Sequence, residues 1–244
     1  MRALVLKRMA ARLPDSMQHE LRRLFFGRQI HGHRFFTDEK EYRLLDTLLA
    51  PGDWALDIGA NVGHYAMRMS ELVGAAGRVI AFEPVPNTFS LLAANTRLFA
   101  HSNVSLLNVA ASDRTAVLGA HIPEFPKGLR NFYRAYLTSD PENLTIVTLP
   151  VDALALPPTI KLVKIDVEGH ELAVLRGMHR LLERDHPVLI VETDSQETVD
   201  LLHSMSYVTE RLPDSSNLLC RHATQLRNTV LMDAQPCGLA VSRH

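Results

Sequence analysis

The sequence predicts an α/β protein whose mostly parallel sheet is covered by helices on both faces. Two observations point there. Short apolar runs alternate with segments of helical periodicity, and breakers such as "PGD" (51–53), "GAAG" (74–77) and Pro84 separate them. No internal repeat or low-complexity tract interrupts the series. At 244 residues, with 46% apolar and 22% charged side chains, the chain suits one substantial core. We divide it into an N-terminal helical extension over 1–50 and one α/β domain over 51–244.

Met17, Leu21, Leu24 and Phe25 recur at helical spacing and predict a helix over Ser16–Phe26, with Asp15 or Ser16 as its cap. Tyr42, Leu45, Leu48 and Leu49 predict a second over Asp38–Leu49, which "PGD" breaks. A first strand over Trp54–Ile58 leads into a helix from Gly63 to about Leu72. After the "GAAG" turn, "RVIAFEP" (78–84) is a second strand stopped by Pro84. Asn87–Phe99 forms the next helix, and "NVSLLNVA" (103–110) is the third strand, closing at Ser112 and Asp113. A fourth strand, "IKLVKIDV" (160–167), enters a helix through Gly169; a fifth, "PVLIVET" (187–193), precedes the helical "SQETVDLLHSM" (195–205). Residues 114–159 are too long for a structureless loop, and they predict an inserted hairpin or cap beside the active site, with short strands at Ala116–Ile122 and Thr145–Val151. "NLLCRH" (217–222) and "TVLMD" (229–233) supply the last, antiparallel strands.

Charge and cysteine usage narrow the function classes. Twenty-six basic against 27 acidic side chains leave a net charge of -1, which gives no reason to expect nucleic acid as a partner. The distribution is uneven: Arg2, Lys7, Arg8, Arg12, Arg22, Arg23, Arg28 and Arg34 face only Asp15 and Glu20 up to residue 35, a local charge of +6. Such an arm can attract an anionic substrate or a membrane surface, although a solvated helical face is the commoner origin of a charge run. Two cysteines, Cys220 and Cys237, suggest neither a disulfide framework nor a closed zinc site, and no segment has the length of a membrane span. The expected setting is the cytoplasm.

The turn after the first strand, "DIGANVGHY", carries Gly59 and Gly63 with Asn61 between them and His64 where a dinucleotide turn has its third glycine. That spacing counts against a nicotinamide cofactor. Asn61 tolerates the left-handed bend, while Gly59 and Gly63 let backbone approach a ligand and helix pack on strand. Asp57 ends the first strand, Glu83 the second, and Ser112 with Asp113 the third. Acids at successive strand ends repel a pyrophosphate but suit adenosine bearing a sulfonium and an amino-acid tail, so the expected cofactor is S-adenosylmethionine.

"LDIGANVGHY", "VIAFEPVPNTFSLLAAN", "NVAASD" and above all "IKLVKIDVEGHELAVLRGM" resemble the FkbM family of class I S-adenosylmethionine-dependent methyltransferases over roughly residues 40–210. The resemblance implies a Rossmann-like, doubly wound sheet of seven strands in the methyltransferase order, its last strand antiparallel. It also implies methyl transfer to a hydroxyl of a glycan, macrolide or other secondary metabolite. Carried over, Asp57, Gly59, Asn61 and Gly63 line the methionine part, Glu83 the ribose, and Ser112 with Asp113 the adenine. The chain departs from the family at "GLRNFYRAY" (128–136), where small serine-rich segments are commoner.

Methyl transfer needs an acceptor lone pair in line behind the methyl group, and a neutral alcohol benefits from a positioned base or a metal. Lys164 and Asp166, two apart on the fourth strand, project to one face and either compensate one another or serve chemistry. Asp166 is the expected carboxylate on the acceptor side, as base or metal ligand, followed by Glu168, His170 and Glu171. For these three, a helix-start role near the dipole or in packing weighs equally. Glu192, beside Asp166 in the strand order and with Asp194 nearby, suggests hard oxygen ligands for magnesium or calcium. The histidines show no zinc spacing, and His31 and His33 read as loop residues. Two rival readings remain: a nicotinamide-dependent oxidoreductase on a similar sheet, and a non-catalytic binding or membrane-surface module.

Overall fold

The structure, a computed structural model, describes residues 13–123, 136–138, 144–156 and 159–226. Two helices, α1 (Asp15–His31) and α2 (Lys40–Leu48), precede the sheet. Then follow β1 (Trp54–Ile58), α3 (His64–Val73), β2 (Arg78–Phe82), α4 (Pro86–Thr96), β3 (Val104–Leu107) and β4 (Ala110–Ala111). β5 (Ala116–His121), β6 (Tyr136–Thr138) and β7 (Thr145–Leu149) lie between β4 and the central strand β8 (Ile160–Ile165). The chain continues through α5 (Glu171–Arg176), α6 (His179–Asp185), β9 (Val188–Glu192), α7 (Gln196–Ser204), β10 (Tyr207–Arg211) and β11 (Asn217–His222).

Seven strands form one sheet in the order β10-β11-β9-β8-β1-β2-β3, parallel throughout except for β11, which runs antiparallel to both neighbours. The expected α/β class, seven strands and antiparallel last strand are therefore present. Alternation decides the two faces. Leu56, Ile58, Val163, Ile165, Leu189 and Val191 point towards α5 and α6, where they meet Val174, Leu175 and Leu182. Ala55, Val79, Leu162 and Ile190 point the other way, against Tyr42 and Leu45 of α2 and Tyr65 and Met69 of α3. Burial on both faces explains why these strands read as continuous apolar runs, and each fully buried Leu or Ile contributes roughly 1.5–3 kcal/mol.

A second sheet, β4-β7-β5-β6, stands beside the C-terminal edge of the first. Its β5 and β7 pair antiparallel and occupy the two short runs that alternation marks within 114–159. The third strand is shorter than the sequence suggests: after Leu107 the ladder breaks, and Ala110–Ala111 pairs with β7 instead.

Other local expectations need correction. Pro14 precedes α1 and no side chain caps it, so neither Asp15 nor Ser16 has that role, and the helix runs on to His31, placing that histidine in a helix rather than a loop. The apolar residues that predict α1 point outwards, as Met17, Leu21, Leu24 and Phe25 are all exposed while Phe26 and Ile30 are buried. The segment Tyr207–Arg211, unassigned from the sequence, pairs as β10 with "NLLCRH". "TVLMD", Cys237 and residues 128–135 of the divergent segment lie outside the described residues. Cys220 is buried and unpaired.

The β1–α3 turn is held from several sides. Gly59 and Ala60 N–H groups both donate to the Phe82 carbonyl, at 3.0 and 2.9 Å. Asn95 Nδ2 donates to the Val62 carbonyl at 2.9 Å, and the Asp166 amide to the Ile58 carbonyl at 3.0 Å. Gly59 adopts φ +86°, and a Cβ there would stand 1.8 Å from the Asp166 carbonyl oxygen. Gly59→Ala is therefore expected to cost roughly 3 kcal/mol or more through backbone collision and a left-handed φ. Urea unfolding checks this; a loss below about 1 kcal/mol would show that the two loops can part without cost.

Candidate functional site

A cleft opens at the C-terminal edge of the sheet, above β1 and β2. Gly59, Asn61 and Glu83 line one side, Ala110, Ala111 and Ile146 the other, and Asp166, Glu168 and His170 close the end. Asn61 makes the expected left-handed bend at φ +51°. Glu83 is buried and accepts two backbone N–H groups, from Asn61 on Oε2 and from Val85 on Oε1, each at 2.9 Å. It thereby holds the turn in shape while keeping lone pairs on the cleft. Burial pushes its carboxyl up to about 7, against the pull of the Val85 and Asn61 amides and with help from Asp57 and Asp166.

The other residues expected at the cofactor do not line this cleft. Gly63 begins α3 at φ +100°, and a Cβ there would stand 2.7 Å from Leu92 Cδ1, so it lets α3 and α4 close together beneath the turn. Asp57 lies one step deeper along its strand, beneath the cleft and in register with Lys164 of β8, and is 1% exposed. Neither of its oxygens has a hydrogen-bond partner of ordinary geometry. Burial raises its carboxyl to about 6; Lys164 pulls it down, Asp166 pushes it up, and the Ala66 amide helps only loosely.

Ser112 and Asp113 stand behind Ala111, where Ser112 Oγ lies 2.9 Å from His170 Nε2 and donates to Asp113 Oδ1 at 3.3 Å. His170 therefore belongs to the Ser112 side of the cleft. Burial lowers it, partly offset by Asp113. Sequence reasoning missed Val85, Ala110, Ala111, Leu137 and Ile146, which make the apolar wall. "FEPV" after the second strand was the available signal for Val85; nothing local marks the residues of the second sheet.

Lys164 and Asp166 do compensate one another. Lys164 Nζ, 3% exposed, donates to Asp166 Oδ2 at 2.8 Å and lies 4.5 Å from the centre of the Tyr65 ring. Burial alone would lower the ammonium, but Asp166 and Asp57 outweigh it and leave Lys164 raised. Tyr65 is anchored by its hydroxyl, which donates to Glu39 Oε2 at 2.7 Å. Glu192 on β9 accepts a hydrogen bond from Ser216 Oγ at 2.7 Å and lines the same hollow as Asp166. Burial, with the neighbouring Asp166, raises Glu192 against the pull of its hydrogen bond from Ser216.

Asp166 and Glu168 also line a second hollow, with Glu192, Asp194 and Ser195. Glu168 adopts φ +48° and Gly169 φ +90°, so the loop after β8 bends back between the two concavities. Glu171 follows the alternative weighed for it: its Oε1 accepts from the Gly169 amide at 2.8 Å in the first turn of α5. Asp194 pairs with Arg211 at 3.3 Å. Among the described residues, no group of three or more His, Cys, Asp or Glu side chains is arranged to hold a metal ion.

Asp57 gives a pH signature. A carboxyl raised in the folded chain holds its proton more tightly there, so its contribution to stability is complete below its ordinary 3.8 and lost as pH rises through about 6. Asp57→Asn should therefore gain on the wild type by roughly 1–3 kcal/mol on going from about pH 4 to about pH 8. Urea unfolding of both proteins across this range measures the gap, and a gap that stays constant would refute the assignment.

Residues 57–212 match the Methyltransferase FkbM domain. The hexuronic acid methyltransferase AglP of Haloferax volcanii is 29% identical over 174 residues, covering 69% of this chain and 69% of the relative. Among solved structures, the methyltransferase FkbM from Methylobacillus flagellatus KT superposes with a TM-score of 0.52 at 18% identity over 73% of this chain. This chain spans about half, 48%, of that protein's length. A methyltransferase from Geobacter sulfurreducens gives a TM-score of 0.49 at 14% identity, covering 91% and 96% of the two chains. With more than half of its length matched by the family's domain, and with the glycine turn and the Lys164–Asp166 loop both inside the match, the chain belongs to the FkbM family of S-adenosylmethionine-dependent methyltransferases.

Proposed function

We propose that this chain methylates a hydroxyl oxygen of a glycan or other hydroxylated small molecule. The observation that carries the reading is the position of Asp166, whose residue lines both the cleft beside the glycine turn and the acidic hollow beyond β9. The cleft fits the cofactor of the family. Gly59 lets the turn lie against the Asp166 loop at the cleft, Glu83 offers carboxylate lone pairs suited to a ribose diol, and Val85 and Ala111 offer an apolar wall suited to adenine. Asp57, buried beneath the turn, adds a negative potential that favours a cationic ligand over a pyrophosphate.

Bound S-adenosylmethionine supplies a methyl group on a sulfonium, transferred in line to an acceptor lone pair. Asp166 takes up the acceptor's hydroxyl proton. Lys164 fixes the carboxylate through Oδ2, and Glu192 steadies it from β9. Glu168 shapes the wall between the two hollows, and His170, tied to Ser112, positions the cofactor side. The helices before residue 50 and the second sheet act as a lid, with Leu137 and Ile146 reaching the cleft. The acceptor class rests on the Haloferax relative, a hexuronic acid methyltransferase. A reducing setting, the cytoplasm, agrees with the free, buried Cys220. The expected magnesium site has only the Asp166–Glu192 pair behind it, and among the described residues no group of three or more His, Cys, Asp or Glu side chains is arranged to hold a metal ion.

Calorimetric titration with S-adenosylmethionine tests the cofactor. Binding tighter than millimolar is expected, with Glu83→Ala weakening it by at least about tenfold through loss of both the diol contact and the tie to Asn61. No heat, or equal affinity in the variant, would sink the reading.

Asp166→Asn is expected to lower turnover by roughly 100-fold or more while changing cofactor affinity little, as S-adenosylhomocysteine release shows. Equal losses in both would move Asp166 into the cofactor site. Turnover abolished by a chelator and restored by magnesium would replace the base with a metal.

A further inference from the structure

Helix α1 presents two faces of opposite use. Phe26 and Ile30 pack inwards with Phe35, Val62 and Leu91, and His19 reaches the Asn87 carbonyl at 3.3 Å. At about 100° per residue, Met17, Leu21, Leu24 and Phe25 fall together on the side away from this contact. They are 51, 47, 55 and 56% exposed, and Phe36, just beyond the helix, is 53% exposed. Arg28, also exposed, falls between Met17 and Leu21 on the same face. Four large apolar side chains exposed on one helix face, with a guanidinium among them, form an apolar patch of the kind that marks a protein or membrane contact.

Charge selects the occupant. Up to residue 35 the chain carries +6, whereas the whole chain carries -1, so the remainder carries -7. The basic end is the end that exposes the apolar stripe. Two copies meeting through this face would bring together two N-terminal segments that are each basic in sequence, which disfavours self-association. We propose that the outer face of α1 docks on an anionic lipid surface, with Met17, Leu21, Leu24 and Phe25 entering the acyl boundary and Arg28 reaching back to the headgroups. Because α1 packs on Val62 through Phe26 and Ile30, the helix stands between the docked face and the β1–α3 turn. The contact is peripheral: among the described residues no helix is long and apolar enough to cross a membrane.

Co-sedimentation of the full chain with phosphatidylcholine vesicles, with and without phosphatidylglycerol, tests the proposal. Anionic vesicles should bind at least about tenfold more strongly than neutral ones, with the difference falling as salt is added. The double variant Leu21→Glu, Leu24→Glu should lose that binding while melting at an unchanged temperature, since both side chains are exposed. Binding that survives the double substitution would assign the contact elsewhere on the chain and overturn the proposal. So would no binding to either vesicle, or a wild-type dimer in sedimentation velocity that the variant converts to a monomer without any vesicle binding.

Discussion

The backbone of Gly59 lies against the carbonyl of Asp166, closer than any side chain permits. This contact joins the turn after β1 to the loop after β8, the two segments that carry the cofactor cleft and the acceptor-side carboxylate. The Asp166 amide, bonded to the Ile58 carbonyl, closes the same junction from the other side. The geometry of the cleft is thus set by one pair of neighbouring parallel strands. Movement of either loop changes it, which is why the core beneath them is packed so completely.

On that base sits a row of charges across the edge of the sheet: Glu83, Asp57, Lys164, Asp166 and Glu192, from β2 to β9. Lys164 is its centre. Its ammonium stays charged in a fully buried place because Asp166 and Asp57 flank it, and the Tyr65 ring covers it. Glu83 and Glu192, at the two ends, are both raised by burial. The row thus sets acids on both sides of one buried ammonium at the C-terminal edge of the sheet.

Much of the site was legible because its residues are bound to strand ends. An acid that closes a parallel strand points to the ligand edge wherever the strand lies, so Glu83 and Asp166 could be placed before any contact was known. The same logic expected Asp57 at the ligand, yet its place one step down the strand, in register with Lys164, buries it beneath the cleft. Ser112 and His170 were assigned to separate roles, yet they meet across 58 positions of chain at 2.9 Å. The apolar wall from β4 and β7 had no local signature, since short alternating runs do not reveal which edge they will cover.

By itself, the sequence determined the alternation of strands and helices and the left-handed bend at Asn61, while it left Lys164 and Asp166 open between mutual compensation and chemistry and expected a ligand where Gly59 meets the Asp166 carbonyl. These follow from periodicity, from backbone sterics and from the cost of burying a charge alone, all of which act over a few residues. Only the tertiary structure decided that Asp166 faces two hollows, that the second sheet closes the cleft, and that the stripe of α1 looks outwards. Periodicity shows that a helix has an apolar face, but long-range packing decides which face the core accepts: Phe26 and Ile30 took that place, and Met17, Leu21, Leu24 and Phe25 were left at the surface.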